Sequence, residues 1–267
     1  MSEHRVRRLV GAGVATLALV GLVVARPYLF PSGASTVVPI EEIRDRYHEH
    51  TSALSLPTVS AVATPTVATL PRSGIYVYNT SGGDGVDALG GQQHQYPPTT
   101  TITVVPFGCG VLQRWDVLKE RWEESQRCIA GPSVLQPART TFDTFFGRSQ
   151  TDTYTCAGSG RPVDASPGTK WTYTCQQGHQ TDAYTGTVLG TETLTVGTDS
   201  VSTLHVQVTI DNGRADESQV TDSWLQLGSD LLIAQLTVNA TSNSSPVGMV
   251  RYTEKYELHL VSLQPTT

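Results

Sequence analysis

Positive charge is scarce in this sequence of 267 residues, in which 18 Lys and Arg stand against 24 Asp and Glu and leave a formal net charge of −6. Proteins that bind nucleic acid need a basic patch to neutralise phosphates. The composition offers no such surface, so nucleic acid is excluded as a partner. Charged residues make up only 16% of the chain, and together with 24 glycines and many threonines and valines this favours a strand-rich, turn-rich fold.

The short motifs of catalysis and cofactor binding are also missing. The sequence contains no S-x-x-K, no H-E-x-x-H, no C-x-x-C and no glycine-rich phosphate loop. Ala157-Gly158-Ser159-Gly160 is the segment nearest to a hydrolase nucleophile elbow, but its glycine spacing is wrong and indicates a flexible loop. The seven histidines show no spacing typical of a metal site. We therefore predict no catalytic residue, no metal and no cofactor, with a cell-wall enzyme as the less favoured alternative.

One uncharged run near the start predicts a membrane anchor. Residues 9–25 carry no charge, follow Arg5, Arg7 and Arg8, and end at Arg26. As a helix this run is roughly 25 Å long, the lower limit for crossing a bilayer. The excess of positive charge before it predicts a cytoplasmic N-terminus, with the rest of the chain outside the cell. Cleavage of the run as a signal peptide, giving a secreted protein, is the alternative.

The next segment predicts a connection between the membrane and a folded domain. Ile40, Ile43 and Tyr47 form a narrow apolar stripe that predicts a short helix, and an uncharged stretch rich in Thr and Pro follows, up to Pro71. We therefore divide the chain into a cytoplasmic tip and transmembrane anchor (1–30), a juxtamembrane helix and spacer (31–72), and an extracytoplasmic β domain (73–267).

The predicted β domain contains twelve candidate strands and no long helical pattern. Such a series predicts an all-β fold in which one antiparallel sheet curves into a half-barrel, a barrel or a sandwich.

Four cysteines predict two disulfides in an exported protein. Cys109 and Cys128 are 19 positions apart, as are Cys156 and Cys175, and this equal spacing favours these two pairs. A C-x-x-C zinc or redox spacing does not occur.

The first pair predicts a hairpin. Trp115 and Trp122 share the sequence midpoint of Cys109 and Cys128, so one hairpin turning after Leu118 places both pairs opposite each other on one face. A helix is the alternative, because Trp115, Leu118 and Trp122 also follow the spacing i, i+3, i+7.

Two later strands supply the candidate ligand-facing residues. Apolar and polar residues alternate in both strands, which predicts one buried face on each. This face is either filled core or the wall of a ligand cavity, and we expect mainly core, so that Val208→Asp unfolds the domain. Glu254 interrupts the apolar face and predicts a position near the sheet edge, with a polar patch of a cavity as the alternative. The candidates are Leu204, Val206, Val208, Ile210, Tyr252, Glu254 and Tyr256.

A glycine-rich segment, residues 84–97, brings Asp84, Asp87 and His94 close together in sequence. It predicts a long polar hairpin loop, with a binding loop as the alternative.

The combination of a short anchor, a Thr/Pro-rich spacer, GIYVYNTSGGDGVDALGGQQHQYP and CGVLQRWDVLKERWEESQRC resembles uncharacterised exported proteins of actinobacteria. Residues 167–263, with PGTKWTYTC and DSWLQLGSDLLI, resemble half-barrel envelope domains related to periplasmic lipoprotein carriers. These resemblances imply a curved sheet that shelters an apolar concavity.

The hypothesis that follows is a non-enzymatic, membrane-anchored domain that binds an apolar or amphipathic, lipid-like envelope component or an envelope protein. A purely structural or interaction module with a filled core is the alternative.

Overall fold

The computed structural model describes residues 35–52, 68–211, 217–245 and 248–267. The predicted anchor, and residues 53–67 of the predicted spacer, lie outside the described residues. In the part of the chain that the structure describes, no helix has the length and apolar character needed to cross a bilayer.

Within the described ranges, one α-helix, α1 (Ile40–Ser52), and one 3₁₀ helix (Ala88–Gly90) accompany 15 strands. The strands are β1 (Gly74–Val86), β2 (Gln92–Gln95), β3 (Thr99–Phe107), β4 (Gly110–Leu118), β5 (Arg121–Ala130), β6 (Ser133–Leu135), β7 (Ala138–Phe145), β8 (Arg148–Gly158), β9 (Arg161–Pro162), β10 (Lys170–Gln177), β11 (Gln180–Val196), β12 (Asp199–Asp211), β13 (Ser218–Gln226), β14 (Leu232–Ser245) and β15 (Gly248–Leu260).

Twelve of these strands close into an antiparallel barrel. Neighbours follow the order β4-β3-β1-β15-β14-β13-β12-β11-β10-β8-β7-β5, and β5 pairs with β4 to complete the circle. Three short strands stay outside this path, since β2 pairs with β1, β6 with β5, and β9 with β6. Closure leaves none of the twelve strands with an unpaired edge. The barrel is one of the three all-β shapes that the sequence predicts.

The predicted hairpin forms, but its register is shifted by one residue. In β4 and β5, Gly110 lies opposite Cys128 and Trp115 lies opposite Glu123. Because a shift of one position moves a side chain to the other face, Trp115 points into the core while Trp122 packs outside against Phe142. The prediction that the two tryptophans oppose each other is therefore wrong, and an irregularity near the turn, between Asp116 and Leu118, accompanies the shift.

Both predicted cysteine pairs lie at disulfide distance. The Cα atoms are 5.1 Å apart for Cys109–Cys128 and 4.1 Å apart for Cys156–Cys175. Cys109 lies in the turn between β3 and β4, whereas Cys156 and Cys175 are directly opposed partners on β8 and β10. The second disulfide therefore fastens two strands that are not joined by a simple hairpin.

The apolar faces of β12 and β15 point into the barrel, as their alternation predicts. Leu204 and Val206 are 0% and 1% exposed on β12, and Tyr256 and Leu258 are 5% and 1% exposed on β15. They belong to two separate apolar clusters in the interior. Between and beside these clusters the interior contains polar and charged side chains, of which the sequence pattern indicates only Glu254, as the alternative to a position near the sheet edge.

Helix α1 forms where the apolar stripe predicts it and packs on the barrel. Ile43 and Tyr47 are buried against Ile75 of β1 and Val105 of β3. Arg46 of the helix also forms an ion pair of 2.7 Å with the buried Asp116 of β4. This part of the predicted juxtamembrane segment is thus attached to the β domain.

Candidate functional site

The barrel contains a cavity of about 290 Å³, close to the lower end of the volumes that small-molecule sites occupy. Strands β4, β5, β7 and β8 line one side, and strands from β10 to β15 line the other. The two sides differ in chemistry, because the side formed by β10 to β15 carries most of the aromatic rings and the other side carries the arginines, while both sides also have polar side chains.

Strands β10 and β11 supply the aromatic wall. Trp171 is 5% exposed and lies against Gly186, where an added Cβ would come within 2.1 Å of the indole ring. Tyr173 and Tyr184 stack in parallel beside it, with ring centroids 4.7 Å apart. The absence of a side chain at Gly186 therefore lets the indole approach the backbone of β11 and leaves the cavity open.

Arginines and carboxylates form the charged wall. Arg139 on β7 donates from Nη2 to Oε2 of Glu123 at 3.0 Å. Arg161 on β9 donates to Asp230, and Arg127 Nε lies 3.9 Å from the other oxygen of the same carboxylate. Burial raises the pKa of Glu123, but the charges of Arg139 and its neighbours outweigh burial and hold this pKa below its usual value. Glu123 is therefore an ionised partner of these arginines.

A second polar cluster surrounds Glu254, which is 5% exposed. Tyr96 donates its hydroxyl to Oε1 at 2.5 Å, and Arg121 Nη2 donates to the same oxygen at 3.2 Å. Strand β15 has a partner on each side, so the expected position of Glu254 near a sheet edge is wrong. The alternative, a polar patch of the interior, is what the structure shows, because Arg121 reaches Glu254 from β5 and neutralises it.

Asp143 belongs to the same cluster, and its surroundings raise its pKa. Its Oδ1 lies 3.2 Å from Nε of Arg121, and the side chain is 27% exposed. Burial raises the pKa of Asp143 to about 6; Arg121 lowers it, whereas the carboxylates of Glu254 and Asp84 raise it further. This group therefore changes charge in the pH range of ordinary experiments.

The segment predicted as a polar loop contains a buried Asp–His pair instead. Residues 92–95 form β2, and the side chains of Asp84 and His94 are 0% and 1% exposed. His94 Nδ1 and Asp84 Oδ1 share a hydrogen bond of 2.8 Å, and Tyr252 donates to the other carboxylate oxygen at 3.3 Å. The His94 ring also stacks on Phe145 at 4.6 Å. The predicted hairpin is confirmed, since β1 and β2 pair across this segment, but the long polar loop is wrong, because Asp84 and His94 partner each other inside the fold.

The seven candidate residues divide among four surroundings. Four line the cavity, namely Val206, Val208, Glu254 and Tyr256. Leu204 packs in the apolar cluster around Trp171, and Ile210 packs in the cluster of the Cys156–Cys175 disulfide. Tyr252 belongs to the Asp84–His94 network. The expectation of a face that is mainly core is therefore only partly met.

Sequence reasoning missed the residues that give the cavity its charge, which are Glu123, Arg127, Arg139, Arg161 and Asp230. Strands β5 and β7 carry polar residues on both faces, β9 has only 2 residues, and Asp230 lies between β13 and β14, so periodicity does not separate inside from outside. One pattern in the sequence does indicate some of them: Arg121, Glu123 and Arg127 occupy odd positions of a single strand, which places all three side chains on the same face.

In the described ranges, no group of three or more His, Cys, Asp or Glu side chains is placed to hold a metal ion.

Comparison of the chain with protein-family models and with curated proteins gives no match. Among solved structures, the crystal structure of the hypothetical lipoprotein YmcC from Escherichia coli (K12) is similar over 80% of this chain and 95% of its own. The sequence identity is 13% and the TM-score is 0.32, which is too low to establish a shared fold. These comparisons give no support to the resemblance to actinobacterial proteins.

Proposed function

We propose that this chain is a non-enzymatic binding protein of the cell envelope whose barrel holds a small amphipathic molecule. The observation that supports the proposal is the cavity, in which a wall with aromatic and aliphatic side chains faces a wall that carries the arginines. An apolar body gains free energy by leaving water on the first wall, while a polar group finds hydrogen-bond partners on the second. A volume of about 290 Å³ suits a single short chain or a small ring system.

The proposal includes the predicted location. Residues 9–25 would anchor the chain in the cytoplasmic membrane with the barrel outside, where the two cysteine pairs are oxidised. Membrane fractionation of the full chain, followed by protease added to intact cells, tests this location. Release of the barrel by the protease is expected, whereas a mature N-terminus near Arg26 or Ser35 would show a cleaved signal peptide instead.

Native mass spectrometry of the full chain tests binding. Protein purified from its own host should carry a small molecule that organic solvent extracts. Protein that is consistently empty, and that binds no amphipathic probe, would favour the alternative of a structural or interaction module.

A cell-wall enzyme is the second candidate, and the buried Asp84–His94 pair is the observation that favours it. Paired carboxylate and imidazole groups are common in general acid–base catalysis. Neither residue lines the cavity, so this candidate requires the interior to open. Release of products from cell-wall material by the wild type, and its loss in a folded His94→Gln variant, would establish this role.

A further inference from the structure

Guanidinium groups outnumber carboxylates at one end of the cavity. The ionisable side chains that line this end are Arg127, Arg139, Arg161, Glu123 and Asp230. The remaining carboxylate that lines the cavity, Glu254, is already paired with Arg121 of β5. Three positive charges therefore share two negative ones, and one cation lacks a full counterion. Such a charge is costly in a partly desolvated site unless a ligand pairs with it.

The excess cation is Arg127. Its side chain is 28% exposed, its Nε lies 3.9 Å from Asp230, and this buried Nε–H has no hydrogen-bond acceptor. The Nε–H of Arg139, on the neighbouring strand β7, also lacks an acceptor. Both residues line the cavity, and two buried N–H groups on adjacent strands therefore lack the acceptor that a polar group at this depth normally has.

The two carboxylates at this end do not compete for those donors. Asp230 receives hydrogen bonds from Arg161 and from Gln113 Nε2, the second at 3.2 Å. Glu123 is bound by Arg139 through Nη2, which leaves the Nε–H of that arginine unused. An incoming anion therefore meets carboxylates whose charge is already compensated.

From this arrangement we infer that the ligand carries one acidic group, a carboxylate or a phosphate, bound by Arg127 and Arg139. The inference rests on the proposed function and makes it more specific. Arginine suits this task because its planar donors match both oxyanions. The apolar part of the same molecule lies against Trp171, Val206 and Val208 on the facing wall. The cavity volume limits that part to a short chain rather than the two chains of a phospholipid.

Four probes with the same eight-carbon chain separate head group from tail: octanoate, octyl phosphate, octan-1-ol and octylamine. Binding to the full chain is followed by the fluorescence of Trp115 and Trp171, which both line the cavity, and by calorimetry. Octanoate or octyl phosphate should bind about tenfold more tightly than octan-1-ol, and octylamine more weakly still. The order of the two anions decides between a carboxylate and a phosphate ligand.

Arg127→Gln should weaken the preferred anion about tenfold and leave octan-1-ol unchanged, because it removes the charge but not the apolar wall. Arg127→Lys keeps the charge and should retain most of the preference for anions. Arg251→Gln is the matched control, since it removes one positive charge from an exposed position on β15. Thermal unfolding of each variant verifies that the fold is intact.

The outcomes separate this inference from the proposed function. Equal affinity for all four probes, unchanged in Arg127→Gln, would overturn the acidic ligand while leaving an amphipathic one. Preference for octylamine would overturn it too. Failure of every probe to bind, with empty protein in native mass spectrometry, would remove both proposals.

Discussion

At the scale of single residues, the sequence pattern does not show which ionisable groups are buried. Glu254 interrupts an apolar face, and the sequence pattern shows this. Its buried position depends on Arg121, which is 133 residues away in sequence and approaches it only when the barrel closes. The same holds for Arg161 and Asp230, which are 69 positions apart. Ion pairs of this kind are set by topology, and a pattern within one strand does not contain them.

Asp143 should make stability depend on pH in an unusual direction. Its folded pKa of about 6 lies above the ordinary value of 3.8, so the folded state keeps a proton that the unfolded state has released. Stability from this group is therefore complete below pH 4 and is lost as the pH rises to 6, by up to about 3 kcal/mol. Denaturant unfolding of wild type and Asp143→Asn between pH 4 and 7 should show that the variant lacks this decline. Parallel curves would refute the assignment.

Gly186 should be required for the shape of the cavity. In Gly186→Ala the new methyl group would overlap the Trp171 ring, so the indole has to move toward the cavity, at a cost of about 1–3 kcal/mol. Weaker binding of every apolar probe and a changed tryptophan emission spectrum are expected. Gly190→Ala on the same strand is the control, because a Cβ there meets no atom within 4 Å. Equal behaviour of the two variants would contradict this role.

At the scale of elements, the sequence predicted the existence of strands and pairs better than their register. The strands β12 and β15, helix α1 and both cysteine pairs follow from local patterns, since each depends on spacing within a short segment. The β4–β5 hairpin shows the limit: its midpoint differs from the predicted one by half a residue, and that is enough to place Trp115 and Trp122 on opposite faces. The irregularity near the turn has no signal in the sequence.

The Cys156–Cys175 disulfide should stabilise the shortest strand pairing in the barrel, which is the one between β8 and β10. Strands β8 and β10 share only four residue pairs, from Tyr173↔Gly158 to Gln176↔Thr155, whereas β11 and β12 pair from Ala183↔Asp211 to Val196↔Asp199. The loop that it closes, about 20 residues, predicts a contribution of roughly 3 kcal/mol. In a Cys156→Ser/Cys175→Ser variant, hydrogen exchange should accelerate first in β8 and β10. A Cys109→Ser/Cys128→Ser variant is the comparison. Identical exchange maps for the two variants would contradict a local stabilisation of β8 and β10 by the Cys156–Cys175 disulfide.

At the scale of the whole molecule, the barrel combines a filled interior with a partly charged cavity. The interior is neither entirely filled core nor entirely cavity, because residues on one face of β12 contribute to both. Leu204 is fully buried in an apolar cluster, and Val208, four residues along the same face, is partly buried and lines the cavity. A closed sheet of twelve strands encloses more space than its apolar side chains fill, and polar groups occupy part of the remainder.

Leu204→Asp and Val208→Asp separate these two parts of the interior. At Leu204 the carboxylate would be buried among apolar side chains without a partner, which costs several kcal/mol and should unfold the barrel. At Val208 it would border the cavity and face the arginine wall, so it can stay hydrated or paired and the fold should survive. A carboxylate there would put a negative charge where the apolar part of the proposed ligand lies and would repel its acidic group, so octanoate binding should be lost. Thermal unfolding and probe titration measure both effects. If Val208→Asp unfolded like Leu204→Asp, the interior would behave as a filled core, and the structural alternative would replace the binding protein.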